Sequence, residues 1–265
     1  LDLISKVKKE SNAHIFLCGT IAEHLEKNVP DEVTILSGNY EFIAQELENN
    51  NSSLNNISKE RLIKVKNGDP SKLNVINWNR KDLPNNTHKF YSGSERFLPF
   101  IFTRGCPYSC FEYCTYPLAQ GRKILQEEVR DTVEKLKKFN TKKKTHIVFR
   151  DPVFSINIKK TKMLLKEIGN ANLNIEFTAE LHLKNIDDEF LQLCKYAKIK
   201  WLKFGIESAF EKIRNSVNRM SVTNDEQKEK VDLIKASGIK THGMFILAQP
   251  EDTFETCDET INYAT

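Results

Sequence analysis

Arg104-Gly105-Cys106-Pro107-Tyr108-Ser109-Cys110-Phe111-Glu112-Tyr113-Cys114-Thr115-Tyr116-Pro117 is the stretch on which the reading of this sequence turns. It carries three of the six cysteines and follows directly on an apolar run, Phe97-Leu98-Pro99-Phe100-Ile101-Phe102, that reads as a buried strand. Gly105 and Pro107 flank the first cysteine, so the strand stops there and the chain turns. Three thiolates on one short loop can hold three corners of an iron–sulfur cube, leaving the fourth iron open to a small molecule.

An open iron is what radical chemistry with S-adenosylmethionine (SAM) requires: the amino and carboxylate groups of SAM chelate it, and an electron passes to the sulfonium. Other readings compete. Cysteines at i, i+4 and i+8 nearly align on one helix face, although Gly105 and Pro107 oppose a helix at the first of them. A zinc site usually closes with four ligands, and no fourth Cys or His lies nearby. A disulfide with one thiol left over fits poorly with a chain that shows no secretory signal.

The sequence is long enough, at 265 residues, to bury a substantial core in one or two domains. With 39% hydrophobic and 29% charged residues it has the composition of a soluble enzyme rather than of a disordered chain. The net charge of +4 is mild, and Lys8-Lys9 and Lys142-Lys143-Lys144 read as solvated faces, so a nucleic-acid partner is not indicated. No apolar stretch approaches the ~20 residues that span a bilayer, which argues against a membrane partner. Cysteine usage points to the reducing cytoplasm. Cys18, Cys194 and Cys257 sit in periodic apolar contexts and read as buried small hydrophobes. The chain starts on Leu1 and stops within a helical pattern, so it reads as a fragment of a longer protein.

Residues 1–50 read as the end of an α/β unit. His14-Ile15-Phe16-Leu17-Cys18 is a strand closing on Gly19-Thr20, and a helical stretch begins at Ile21; this is either a nucleotide-loop cradle or a plain tight turn. Val33 to Leu36 is a second strand, and Glu41 to Leu47 a short amphipathic helix. Residues 51–95 are rich in Asn, Ser, Lys, Gly and Pro and read as a linker. Within it, Arg61 to Val65 forms a strand that Asn67-Gly68 turns into a small hairpin. Beyond the cysteine loop, strand and helix alternate. Strands are expected over 145–149, 174–179, 201–206 and 241–247, and helices over 127–139, 159–168 (stopped by Gly169-Asn170), 187–197 and 225–236. With the strand before the loop this makes five strand–helix pairs, hence a parallel sheet. Asp151, Glu180, Glu207 and Ser208 fall where strands end, the edge at which α/β folds place their sites.

Thr103-Arg104-Gly105-Cys106-Pro107-Tyr108-Ser109-Cys110, Phe149-Arg150-Asp151-Pro152-Val153-Phe154, Phe204-Gly205-Ile206-Glu207-Ser208 and Gly238 to Leu247 together resemble the core of the radical SAM superfamily. The likeness is to the branch with an N-terminal cobalamin-binding domain. It implies an α/β fold: a partial (β/α)6 barrel over residues 96–265, truncated before its last strand. Ahead of it would lie the C-terminal portion of a Rossmann-like cobalamin domain over 1–50. It further implies that Cys106, Cys110 and Cys114 ligate a 4Fe–4S cluster and that Tyr113 lies against the adenine of SAM. Glu207 and Ser208 would contact its ribose, Ile246 to Pro250 would offer backbone contacts to adenine, and Asp151 and Glu180 would make polar contacts to SAM. Gly19 and Thr20 would lie by the nucleotide tail of cobalamin. The sequence departs from the family where Phe111-Glu112-Tyr113 puts three residues, in place of two, before the last cysteine. It departs again where Ala248-Gln249-Pro250 stands for the usual Gly-Leu-Pro.

The activity implied is reductive cleavage of SAM to form a substrate radical, followed by cobalamin-dependent methyl transfer to an unactivated carbon. The implied partners are a small-molecule or peptide substrate and an electron donor such as flavodoxin or ferredoxin. Two alternatives stand beside it: an RNA-modifying enzyme of the methylthiotransferase kind, and a truncated, non-catalytic relative.

Overall fold

Short β-branched and aromatic runs alternating with amphipathic helices build two parallel sheets in the computed structural model, which describes residues 2–19, 22–38, 42–43, 61–65, 96–110, 114–142, 144–219 and 222–265. The first sheet holds β1 (Ile15–Cys18), β2 (Val33–Gly38) and β3 (Leu62–Val65) in that order, with helix α1 (Asp2–Glu10) before β1 and a 3-10 helix over Ala22–Asn28. The second is five-stranded. Its order is β10 (Lys240–Phe245), β9 (Ile199–Glu207), β8 (Ile175–Glu180), β7 (Thr145–Phe149) and β4 (Arg96–Phe100), every pair parallel. Among the described residues no helix is long and apolar enough to cross a membrane.

The strand expected in the linker exists and joins the first sheet. β3 pairs in parallel with β2, from Ile35 opposite Leu62 to Gly38 opposite Val65, so it extends the first sheet. Arg61 fixes it there: its guanidinium donates to the carbonyls of Val29 (2.8 Å) and Val33 (2.9 Å), drawing the 3-10 helix, β2 and β3 together. The first unit therefore reaches beyond residue 50 to at least Val65; the other arm of the expected hairpin, and most of the expected helix over 41–47, lie outside the described residues.

In the second sheet, side chains alternate between faces except where the β8–β9 and β9–β10 registers shift. Ile147, Phe149, Phe177, Leu202, Phe204 and Ile206 meet helices α3 (Val129–Lys137), α4 (Ile158–Ala171), α5 (Asp188–Tyr196) and α7 (Asn224–Ala236), whose apolar stripes supply Leu136, Leu164, Phe190 and Ile234. Phe149 packs on Phe154 and Phe177 at centroid distances of 4.6 and 5.6 Å. Each such buried side chain contributes about 1.5–3 kcal/mol. Asp187 caps α5, its carboxylate accepting from the Phe190 amide at 2.7 Å. Gly169 does not stop α4, which runs to Ala171 and ends on left-handed Asn172 (φ 42°). Gly169 is instead a packing glycine: a Cβ there would lie 2.1 Å from the Tyr196 ring. Of the three outlying cysteines, Cys194 is buried as expected, but Cys18, the last residue of β1, is exposed and Cys257 is half-buried.

Candidate active site

The cysteine loop leaves the sheet at β4 and is closed by a two-stranded antiparallel ribbon, β5 (Thr103–Arg104) with β6 (Leu125–Gln126), with the short helix α2 (Tyr116–Gln120) between them. Backbone and side chains from its far arm pin the loop. The Cys106 amide donates to the Gly121 carbonyl (3.0 Å), Gly105 N–H to the Gln120 side chain (3.2 Å), and Arg122 to the Tyr108 carbonyl (3.1 Å) and the Ser109 hydroxyl (3.2 Å). Gly105 is required at the crossing. Its φ is 81°, and a Cβ would sit 2.0 Å from the Lys123 carbonyl oxygen. Gly105→Ala is expected to lower stability by about 3 kcal/mol, from left-handed strain plus the clash. Thermal melting checks this, and an unchanged melting temperature would show that the ribbon simply moves aside.

One cavity gathers Cys106, Cys110 and Cys114 with Tyr108 and Tyr116 on one wall, Glu180, Glu207 and Arg219 on another, and Met244 and Ile246 on an apolar side. Cys106 and Cys110 are buried, and all three thiols are free. Burial pushes the Cys106 thiol up; the Tyr108 amide and Arg219 draw it down, and the charges of Cys110 and Cys114 raise it further. Among the described residues no three His, Cys, Asp or Glu side chains converge as they would on one metal ion. Three thiols bordering one cavity are the donor set that a 4Fe–4S cluster with one open iron calls for.

The opposite wall is built by a β-bulge. The β9–β10 register runs from Gly205 opposite Met244 to Glu207 opposite Phe245, skipping Ile206, and Glu207 takes φ 71°. This turns the Glu207 carboxylate over Gly205 to meet Arg219 (3.4 Å). Gly205 leaves room for the pair as it stands: a Cβ at 205 would lie 2.0 Å from Glu207 Oε1 and would push the carboxylate aside. Burial raises the pKa of both Glu180 and Glu207. Arg219 opposes the shift at Glu207, and Arg150, Lys203 and Arg219 oppose it at Glu180.

Three expected site residues stand elsewhere. Asp151 is fully buried and does not line the cavity; its two oxygens accept from the amides of Phe102 (2.9 Å) and Thr103 (2.8 Å), so that it anchors the root of the cysteine loop. Ser208 is fully buried outside the cavity. Its hydroxyl accepts from the Phe210 amide (3.1 Å) and lies 3.4 Å from Thr260 Oγ1, bracing the turn into α6 (Glu211–Ser216) against α8 (Phe254–Ala264). Pro250 is exposed and does not line the cavity, whereas Ile246 does. Ala248, where the family's glycine is usual, adopts φ 60° and so carries the strain a glycine would avoid. Gly19 (φ 128°) turns the chain at the end of β1 with open space beside it; Thr20 and Tyr113 lie outside the described residues. Sequence reasoning missed Arg219 altogether. It follows α6 in a polar stretch without periodicity, and only folding brings it to Glu207.

A radical SAM superfamily family model matches residues 100–264. The chain belongs to the radical SAM superfamily. The superfamily's cofactors are a 4Fe–4S cluster and SAM. An uncharacterized methyltransferase of Pyrococcus horikoshii is 26% identical over 66% of this chain and 38% of its own length. A putative methylthiotransferase of Methanocaldococcus jannaschii is 29% identical over 57% of this chain and 35% of its own length. The chain thus spans well under half the length of these relatives. By fold it is similar to the radical SAM methyltransferase TsrM of Kitasatospora setae (TM-score 0.71, 16% identity), over 99% of this chain and 55% of that one. The cobalamin-dependent radical SAM enzyme OxsB aligns over 98% of this chain and 44% of its own (TM-score 0.59, 15% identity).

Proposed function

We propose that this chain is the cofactor-binding part of a methyltransferase, with Cys106, Cys110 and Cys114 holding the cluster and SAM seated between them and the Glu180–Glu207–Arg219 wall. The observation that carries the reading is the meeting, in one cavity, of the three loop cysteines with the ion pair of buried Glu207 and half-buried Arg219. Bound there, cluster and SAM supply a one-electron reductive cleavage that generates a carbon radical. The residues of this chain bind and orient. Arg219 offers a bidentate donor to a carboxylate. Glu180 and Glu207 offer acceptors to an ammonium or hydroxyl. Met244 and Ile246 keep water from the apolar side.

Methyl transfer is favoured by the methyltransferase name of the Pyrococcus relative, and cobalamin by the fold shared with TsrM and the cobalamin-dependent OxsB. The first sheet would carry the corrinoid, with Gly19 and Thr20 beside its nucleotide tail. One contact beside this unit supports that reading: Arg104, two residues before Cys106, lies 5.7 Å from the ring centroid of Phe42, which follows β2. Methylthiolation, the reading suggested by the Methanocaldococcus relative, calls for a second cluster. Its ligands are not found among Cys18, Cys194 and Cys257, which are respectively exposed, deep in the core and on α8.

Deoxyadenosine formation from SAM by the anaerobically reconstituted, reduced protein tests the assignment. Arg219→Gln is expected to raise the SAM concentration for half-maximal cleavage by about tenfold or more, with iron content unchanged, since one charge-assisted contact contributes at least about 1.4 kcal/mol. An unaltered SAM dependence would remove Arg219 from the binding site.

A further inference from the structure

Among the described residues, the largest side chain that the fold buries completely is a charged one, Arg214 on α6. Its acidic neighbour Glu211 lies 3.9 Å away on the same helix and is itself exposed, and the buried Arg214 Nε has no acceptor. A guanidinium buried on those terms is costly, and an apolar side chain of similar volume would fill the space with less penalty. The contacts of Arg214 show what it does there. Nη1 donates to the Ser208 carbonyl (2.6 Å) and Nη2 to the Val222 carbonyl (3.2 Å). These carbonyls stand at the two ends of the excursion that leaves β9 after Glu207 and enters α7 at Asn224. The planar fork of one arginine ties both ends, which a single ammonium could not do.

Arg219 lies on this excursion. Its amide donates to the carbonyl of Arg214 itself (3.0 Å), and its guanidinium reaches back to Glu207 Oε1 and to the Gly205 carbonyl, each at 3.4 Å, in the cavity wall. Arg214 thus grips the chain on both sides of the Glu207–Arg219 pair: through Ser208 it holds the residue after Glu207, and through its own carbonyl it holds Arg219. We infer that Arg214, which does not line the cavity, is a positioning residue that sets how Arg219 and Glu207 are presented to SAM. This inference rests on the cavity being the place where SAM binds. The same excursion is tied a second time and independently of Arg214. The Asn224 amide donates to the Glu211 carboxylate (2.9 Å), and Asn224 Nδ2 to the Ala209 carbonyl (2.8 Å). Losing the donors of Arg214 should therefore loosen the pair without releasing the whole excursion.

Arg214→Met keeps most of the volume and removes every donor. In the reconstituted full chain it is expected to raise both the Kd for SAM, read by equilibrium dialysis, and the SAM concentration for half-maximal cleavage by about tenfold, with kcat changed far less. Arg214→Lys, whose ammonium can meet one carbonyl at a time, should fall between, and it carries the test if Arg214→Met does not fold. In an Arg219→Gln background Arg214→Met should add little, because both changes act on one contact. Leu164→Ala, in the helix-side core, should lower stability and leave SAM dependence unaltered. Hydrogen exchange of the full chain, which needs neither cluster nor SAM, should quicken over residues 205–219 in Arg214→Met and stay unchanged over α4. Unaltered SAM binding in the folded Arg214 variants, effects of Arg214→Met and Arg219→Gln that simply multiply, or an equal rise in Leu164→Ala overturns the inference. If Arg219→Gln leaves SAM dependence unaltered, the assignment of the SAM site fails. If Arg219→Gln raises it and Arg214→Met does not, this inference alone fails.

Discussion

Cys106→Ala is expected to reduce iron and sulfide after anaerobic reconstitution from about four of each per chain to background, and to abolish SAM cleavage. Cys114→Ala should do the same, and Cys194→Ala should not. The contrast follows from surroundings. Cys106 and Cys110 are buried where the loop is pinned by Gly121 and Arg122, and Cys114 comes next to α2; all three border the cavity. Cys194 is fully buried in the helix-side core, where burial alone pushes its thiol well up and leaves it a small hydrophobe. Ligation must displace thiol protons, and the raised pKa of Cys106 makes that costlier at low pH, so loading should improve as pH rises. Cys114→Ala is the sharper variant, because three residues rather than two separate Cys110 from Cys114. If wild type and Cys114→Ala bound iron equally, the added residue would have taken the last thiol out of reach, and the catalytic reading would fall with it.

Much of this architecture can be read from period alone. The five strands of the second sheet fall where apolar runs end on polar residues, because a parallel strand buried on its helix side must supply an apolar residue at every second position. The cysteine loop is legible for a different reason: three thiols that close together on one short loop have few uses other than holding a metal or cluster. Position at a strand end, by contrast, did not distinguish a residue facing the cavity from one facing the frame. Glu180 and Glu207 face the cavity; Asp151 and Ser208, equally polar and equally at strand ends, turn back to satisfy backbone amides. The difference lies in which neighbouring amide lacks a partner, and that is set by the path of a loop distant in sequence. Arg219 and the parallel pairing of β3 were hidden likewise, since both depend on contacts across long separations that local pattern does not encode.

Asp151→Ala should show the second large effect, on stability rather than chemistry. Removing the carboxylate leaves the amides of Phe102 and Thr103, both in buried residues, without acceptors, at about 1–3 kcal/mol each. For a chain of this size that is a fall of about 10 °C in melting temperature. Asp151→Asn keeps the volume and one acceptor but turns an NH2 toward the second amide, so it should fall between. Burial pushes the Asp151 carboxyl up to about 7 against the pull of the Phe102 and Thr103 amides, with Glu127 adding a further upward push. An acid with a raised folded pKa holds more protons folded than unfolded between its ordinary 3.8 and about 7. Its contribution is therefore most favourable at low pH and declines as pH rises, by up to about 1.4 kcal/mol per unit, becoming flat above the folded value. Glu180 and Glu207, also raised by burial, act in the same direction and cancel when wild type is compared with Asp151→Asn. Denaturant midpoints at pH 5 and pH 7.5 should thus converge, the advantage of wild type over Asp151→Asn shrinking at the higher pH. A constant difference would mean that the carboxylate is already ionised at pH 5 and that the two amides outweigh its burial. Because Thr103 leads through Arg104 and Gly105 into Cys106, loosening this anchor should also show as faster loss of iron from Asp151→Ala than from wild type during gel filtration, at temperatures where both remain folded.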